Sequence, residues 1–147
     1  MGREWKNHAE ASITHPAAAT ASPFLSLSVI APMGACPAKA AAANGNDVLI
    51  VCAGTENMPS ADDLCTAGAI IEAMRTYADF KEGDLTDMAL ICEKLWGDMR
   101  EGSFDVKKTF HSARLIALGF EEDVDFCFEE DVTDTVPIYR DGIIQKL

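Results

Sequence analysis

Hydrophobic and polar positions change period several times along the chain, and each change predicts an element. Four consecutive apolar residues, Val48-Leu49-Ile50-Val51, stand between Asp47 and a turn that contains Gly54. A run of this length and β-branched content predicts a strand buried on both faces, as in a parallel sheet covered by helices. After the turn from Cys52 to Pro59, Ser60 predicts a helix N-cap, and Asp63 three residues on predicts a variant of the capping box. Leu64, Ala67, Ile71 and Met74, flanked by Ile70 and Tyr77, then keep a helical period. A strand feeding a helix through a short glycine-containing loop places that loop at the carboxyl edge of a sheet, where α/β proteins bind ligands.

Downstream, Lys81-Glu82-Gly83 predicts a turn, and Asp84, with Asp87 at N3, predicts the cap of a second helix. Leu85, Met88, Ala89, Cys92, Leu95, Trp96 and Met99 form its apolar stripe. Glu101-Gly102 breaks it. Ser103 then predicts the cap of a third helix, with Val106, Phe110, Ala113 and Ala117 on one face and Gly119 as the C-cap. From Glu121 the period shortens, so that Val124–Phe128 and Val136–Tyr139 read as strands that would pair antiparallel. Upstream, Phe24–Ile30 reads as a short strand, and the alanine-rich Pro32–Ala43 as a helix interrupted at Pro37 and closed by Asn44-Gly45. Residues 1–23 are low in complexity and read as a poorly ordered leader to a single domain over 24–147.

Charge adds a constraint on partners. The net charge of -12 is uneven: residues 1–58 hold four acids and three bases, whereas residues 59–147 hold 20 acids and nine bases. A surface this acidic repels nucleic acid and anionic membrane, and it accepts a phosphorylated ligand only with help from cations or helix N-termini. The balance argues for a bound divalent metal. Five cysteines without a Cys-x-x-Cys pair point to a reducing, cytoplasmic setting. No apolar run approaches the ~20 residues that span a bilayer.

The candidate chemistry gathers around the central turn. Asp62 and Asp63 offer the hard carboxylate oxygens that suit Mg²⁺, and equally the charges that favour a helix N-terminus. The backbone N–H groups of Gly54 to Asn57 offer an anion cradle, unless they serve a plain βα turn. Cys52 reads as a buried structural cysteine, because a Cys-x5-Arg phosphatase loop would need arginine where Met58 stands. His111 is a general acid or phosphate contact, or a histidine at the edge of the core. Arg114 is either a partner for phosphate or sulfonate or one half of a salt bridge. The eight carboxylates between Glu121 and Asp134 lack metal-ligand spacing and read as a solvated edge.

Cys52-Ala53-Gly54-Thr55-Glu56, then Ser60, Asp62-Asp63 and Gly68, resemble the signature of the 2-phosphosulfolactate phosphatase family. Ser112, Leu115, Leu118-Gly119, Glu122-Asp123-Val124, Phe126-Cys127, Asp131, Val136-Pro137 and Gly142-Ile143 follow the family's order with nearly its spacing. The resemblance runs from Asp47 to Ile143 and corresponds to the C-terminal half of the family's length. The family's Asp-x-x-Arg-Ala-Ser/Thr and Thr-Asn-Gly-Thr blocks have no counterpart here.

Pattern and resemblance together give an α/β fold: a three-layer α/β/α domain with a mostly parallel sheet and a C-terminal antiparallel strand pair. The resemblance implies Mg²⁺-dependent hydrolysis of 2-phospho-3-sulfolactate or a similar small phosphomonoester, of the coenzyme M biosynthesis type. It implies catalytic and metal roles for Asp62 and Asp63, and substrate contacts from Gly54, Thr55, Glu56, Ser60 and Arg114. The expected partners are a small anionic phosphoester and either a second copy or a complementing N-terminal half. The alternative is a non-catalytic fragment or interaction domain that keeps the fold without half of the site.

Overall fold

The computed structural model describes residues 10–13, 26–27, 35–43, 45, 47–140 and 142–146. Its strands are β1 (Glu10–Ile13), β2 (Ser26–Leu27), β3 (Val48–Val51), β4 (Pro137–Arg140) and β5 (Ile143–Lys146). Its helices are α1 (Ala35–Ala42), α2 (Ala61–Met74), α3 (Asp87–Arg100), α4 (Phe110–Ala117) and α5 (Glu121–Cys127), with a 3₁₀ turn at Val106–Lys108. Of the expected leader 1–23, only Glu10–Ile13 falls among the described residues, and there it is a strand; its predicted disorder otherwise lies outside them.

The mixture of helix and strand agrees with an α/β chain. β1 pairs with β3 from Glu10↔Val51 to Ile13↔Val48, and β4 lies between β2 and β5 in a second sheet. These ladders are antiparallel, and the predicted parallel sheet is not formed among the described residues. β2, α1 and β3 follow one another as a parallel unit would, but β2 pairs with β4 and β3 with β1, each antiparallel.

β3 is buried on one face, not two. Val48 and Ile50 pack against the core, whereas Leu49 and Val51 are exposed. The core lies between α1, β3, α2 and α3, built from Ala38, Ala41, Cys52, Ala67, Ile70, Ile71, Met74, Ala89 and Cys92. The α2 and α3 stripes meet as their periods predict, with Trp96 buried as well. Gly68 permits their close approach: a Cβ there would sit 2.1 Å from the Cys92 carbonyl oxygen and 2.7 Å from the Trp96 Cβ. Trp96 Nε1 and Arg100 both donate to Glu72 Oε2 at 2.7 Å and tie the outer rim of the pair.

Several boundaries differ from the sequence reading. Pro37 sits within the first turn of α1 without interrupting it, because a first-turn N–H has no helical acceptor to lose. Thr86, rather than Asp84, caps α3 by accepting the Ala89 N–H, while Asp84 accepts the Lys81 N–H in the preceding turn. Ser103 donates to the Asp98 carbonyl, and the predicted third helix is divided at Thr109 into the 3₁₀ turn and α4, leaving Phe110 exposed. Gly119 ends α4 as predicted: at φ +89° it lets its own N–H reach the Ile116 carbonyl and the Phe120 N–H reach the Leu115 carbonyl.

The predicted strand Val124–Phe128 is instead the helix α5. Glu121, Glu122 and Asp123 in its first turn favour the positive end of the helix dipole, and Val124 is its buried residue. Val124 is buried whereas Phe126, two residues on, is exposed, so the face that a strand would bury is not formed. Val136–Tyr139 does form a strand region, but its partners are β2 and β5.

Candidate functional site

The turn that follows β3 is held in a single shape by its backbone. Gly54 has φ +73°, and a Cβ at that position would approach the Met58 carbonyl oxygen to 2.6 Å. Thr55 and Met58 exchange N–H···O bonds of 2.9 and 3.0 Å, with Glu56 and Asn57 at φ +53° and +63° between them. That geometry is a two-residue hairpin turn with a left-handed pair at its tip. It projects Glu56 outward and delivers the chain to Ser60 at the start of α2.

Asp63 fastens this turn to the helix. Its Oδ2 accepts the Gly54 N–H at 2.6 Å, and its carbonyl oxygen faces Cys52 Sγ at 3.7 Å. The predicted capping box is therefore not formed. Ser60 stands at the N-cap position but does not cap with its side chain; its buried hydroxyl donates to Asp62 Oδ1. Thr55 Oγ1 donates to Ser60 Oγ at 3.4 Å.

α4 closes the site from the other side. His111 Nε2 lies 3.9 Å from Asp62 Oδ2, and His111 Nδ1 is buried without a hydrogen-bond partner. One turn along α4, Arg114 forms an ion pair with Glu56 of the hairpin. The fold thus brings Thr55, Ser60, Asp62 and His111 into one cluster, with the Glu56–Arg114 pair at its rim. It separates the two acids, since Asp62 faces Ser60 and His111 while Asp63 faces the turn backbone. Gly54 lies in the turn with its N–H committed to Asp63. In the sequence His111 carries two readings, because nothing in the spacing between residues 62 and 111 reports that α4 packs beside the first turn of α2.

Cys52 is no nucleophile. Burial, then the charge of Asp63 and contributions from Cys92 and Asp62, push its thiol up to about 12, so it stays protonated at neutral pH. Among the described residues no group of three or more His, Cys, Asp or Glu side chains forms a metal-ligating cluster. Mg²⁺ needs less than that, since one or two carboxylates with waters and a substrate phosphate suffice. Asp62, partly exposed and oriented by Ser60, fits as that carboxylate; the Asp63 oxygen bonded to Gly54 is already occupied.

The sequence profile of the 2-phosphosulpholactate phosphatase family matches residues 26–142. The chain belongs to that family. Among curated 2-phosphosulfolactate phosphatase relatives, a probable one from Caldanaerobacter subterraneus subsp. tengcongensis is 38% identical over 103 residues, covering 69% of this chain and 42% of the relative. A probable 2-phosphosulfolactate phosphatase from Thermotoga maritima is 39% identical over 98 residues, covering 66% and 40%. The 2-phosphosulfolactate phosphatase of Methanothermobacter thermautotrophicus is 30% identical over 114 residues, covering 75% and 46%. The chain therefore spans less than half the length of these phosphatase relatives, and the turn, the acid pair and α4 all lie within the matched residues.

Proposed function

We propose that this chain supplies part of the active site of a Mg²⁺-dependent phosphatase that hydrolyses 2-phosphosulfolactate or a similar small phosphomonoester. The supporting observation is the gathering of Thr55, Ser60, Asp62 and His111 at the end of β3 in a chain of this family. Asp62 is the residue that would hold Mg²⁺. When bound, the ion would act as a Lewis acid toward the phosphoryl oxygens.

The remaining roles belong to the chain itself. Ser60, supported by Thr55, orients one oxygen of Asp62, and His111 faces the other. Asp63 is a positioning residue, holding Gly54 and thereby the hairpin against α2. Arg114 is the guanidinium available to the phosphate or sulfonate of a substrate, and Glu56 holds it at the rim until then. Burial keeps the free thiols of Cys52, Cys65 and Cys92 out of the chemistry, and a reducing, cytoplasmic setting suits them. The three-layer parallel arrangement belongs to this reading too, as the form the chain takes with further strands beside β3.

A second reading stands beside the first. The chain spans less than half the length of these relatives, and the second reading is a non-catalytic unit that keeps the fold. Phosphate release from 2-phosphosulfolactate, assayed with Mg²⁺ and with a chelator, separates the two. Chelator-sensitive release supports the phosphatase, whereas the absence of release under every condition, with or without the part of a relative that this chain does not match, supports the second reading.

A further inference from the structure

The two ring nitrogens of His111 stand in different surroundings. Nδ1 is buried and has no hydrogen-bond partner among the described residues, although the side chain as a whole is 32% exposed. Nε2 lies 3.9 Å from Asp62 Oδ2, too far for a hydrogen bond between them. Ser60 donates to the other oxygen of Asp62, Oδ1, so Oδ2 is the oxygen turned toward the imidazole. A neutral imidazole carries one proton, which makes one nitrogen a donor and the other an acceptor. On Nδ1 that proton would be an orphaned buried N–H, a rarer arrangement than an unused lone pair, and Nε2 would turn its own lone pair toward a carboxylate oxygen. On Nε2 the proton faces that negative oxygen and leaves only a lone pair buried. Both surroundings select the Nε2–H tautomer.

We infer that His111, as its Nε2–H tautomer, is a ligand-contact residue that donates a hydrogen bond to a phosphoryl oxygen of a ligand held beside Asp62. The gap between the two side chains suits this, because Nε2 and Oδ2 do not bond each other and both face the space a small group would enter. An N–H···O bond of about 2.9 Å reaches an oxygen seated there. His111 is a donor of fixed sense and keeps its proton throughout, unlike a general acid, which gives its proton up. Arg114, three residues on and therefore on the same face of α4, places a guanidinium beside it at the rim. Naming a phosphoryl oxygen as the acceptor rests on the phosphatase reading, whereas the tautomer rests on the packing of His111 alone.

The test has two arms, both on the full 147-residue chain at a pH of about 8, above the ordinary histidine pKa of about 6.5. The first is long-range ¹H–¹⁵N correlation of the imidazole nitrogens, with the His111 signals assigned as those lost in His111→Gln. A protonated Nε2 beside an unprotonated Nδ1 is expected; a protonated Nδ1, or signals averaged over both tautomers, overturns the inference. The second is calorimetric binding of inorganic phosphate in the presence of Mg²⁺ to the wild type, His111→Gln and His111→Asn. A glutamine amide can place its N–H near the Nε2 position, whereas an asparagine amide reaches only as far as Nδ1. The glutamine variant is expected to bind within about threefold of the wild type, and the asparagine variant roughly tenfold or more weakly. Circular dichroism checks that both keep the wild-type helix content, and the wild-type spectrum decides alone if either does not. Equal weakening in both variants, weakening in neither, or a wild type that binds no phosphate overturns the inference. Phosphate binding that depends on His111 in a chain that releases no phosphate from 2-phosphosulfolactate would contradict the proposed activity and leave this inference standing.

Discussion

The Gly54 N–H donates to Asp63 Oδ2 at 2.6 Å and joins the hairpin after β3 to the first turn of α2. Asp63 thereby faces the turn backbone, while Asp62 faces Ser60 and His111. Asp63→Ala leaves that N–H without its charged acceptor and is expected to cost about 2 kcal/mol of stability. Asp63→Asn keeps an acceptor oxygen and is expected to cost less. Urea denaturation of the two variants beside the wild type measures the difference, and equal losses would contradict the assignment.

The packing of α2 on α3 depends on Gly68. Gly68→Ala forces a Cβ against the Cys92 carbonyl and is expected to destabilise by about 3 kcal/mol. Gly97 gives the opposite sign. It lies inside α3 with open space where a Cβ would stand, so Gly97→Ala is expected to stabilise by up to about 1 kcal/mol through helix propensity. Thermal melts of the two alanine variants check both directions.

Alkaline pH acts on the buried thiols. Burial, chiefly, raises Cys52 and Cys65 from 9.0 to about 12 in the folded chain. The unfolded chain therefore releases these protons first, so stability is at its full value below pH 9, and is lost progressively as pH rises from 9 toward 12. Denaturation midpoints measured across that range are expected to fall, and to fall less steeply in Cys52→Ala/Cys65→Ala. Alkylation at neutral pH is expected to modify the exposed Cys127 well before Cys52, Cys65 or Cys92.

Much of this site is legible in the sequence where local signals suffice. The strand β3, the Gly54 turn, the helix α2 and the stripe of α3 follow from period and punctuation, and they hold. Gly119 ends α4 because its conformation is a local requirement. What the pattern misjudges is pairing in space. Val48–Val51 reads as doubly buried, yet burial of its second face depends on a neighbour that hydropathy does not name. Val124–Phe128 alternates like a strand, but the three acids before it favour a helix N-terminus, and Val124 is the buried residue of α5. Within the site, the acid pair is visible as a pair and the division of its two side chains between different partners is not. That division depends on the hairpin folding back to present Gly54 to Asp63 and on α4 presenting His111 to Asp62.

The central claim is that Asp62 is the carboxylate through which this chain contributes to Mg²⁺-dependent phosphate release. The direct measurement is the rate of inorganic phosphate release from 2-phosphosulfolactate, with Mg²⁺ and with EDTA, by the chain combined with the unmatched remainder of the Thermotoga maritima relative. Asp62→Asn, which keeps an acceptor for Ser60, is measured alongside. The account predicts release that EDTA abolishes and that Asp62→Asn lowers by about a hundredfold or more. Release that is indifferent to EDTA, or an Asp62→Asn variant as fast as the wild type, would contradict it.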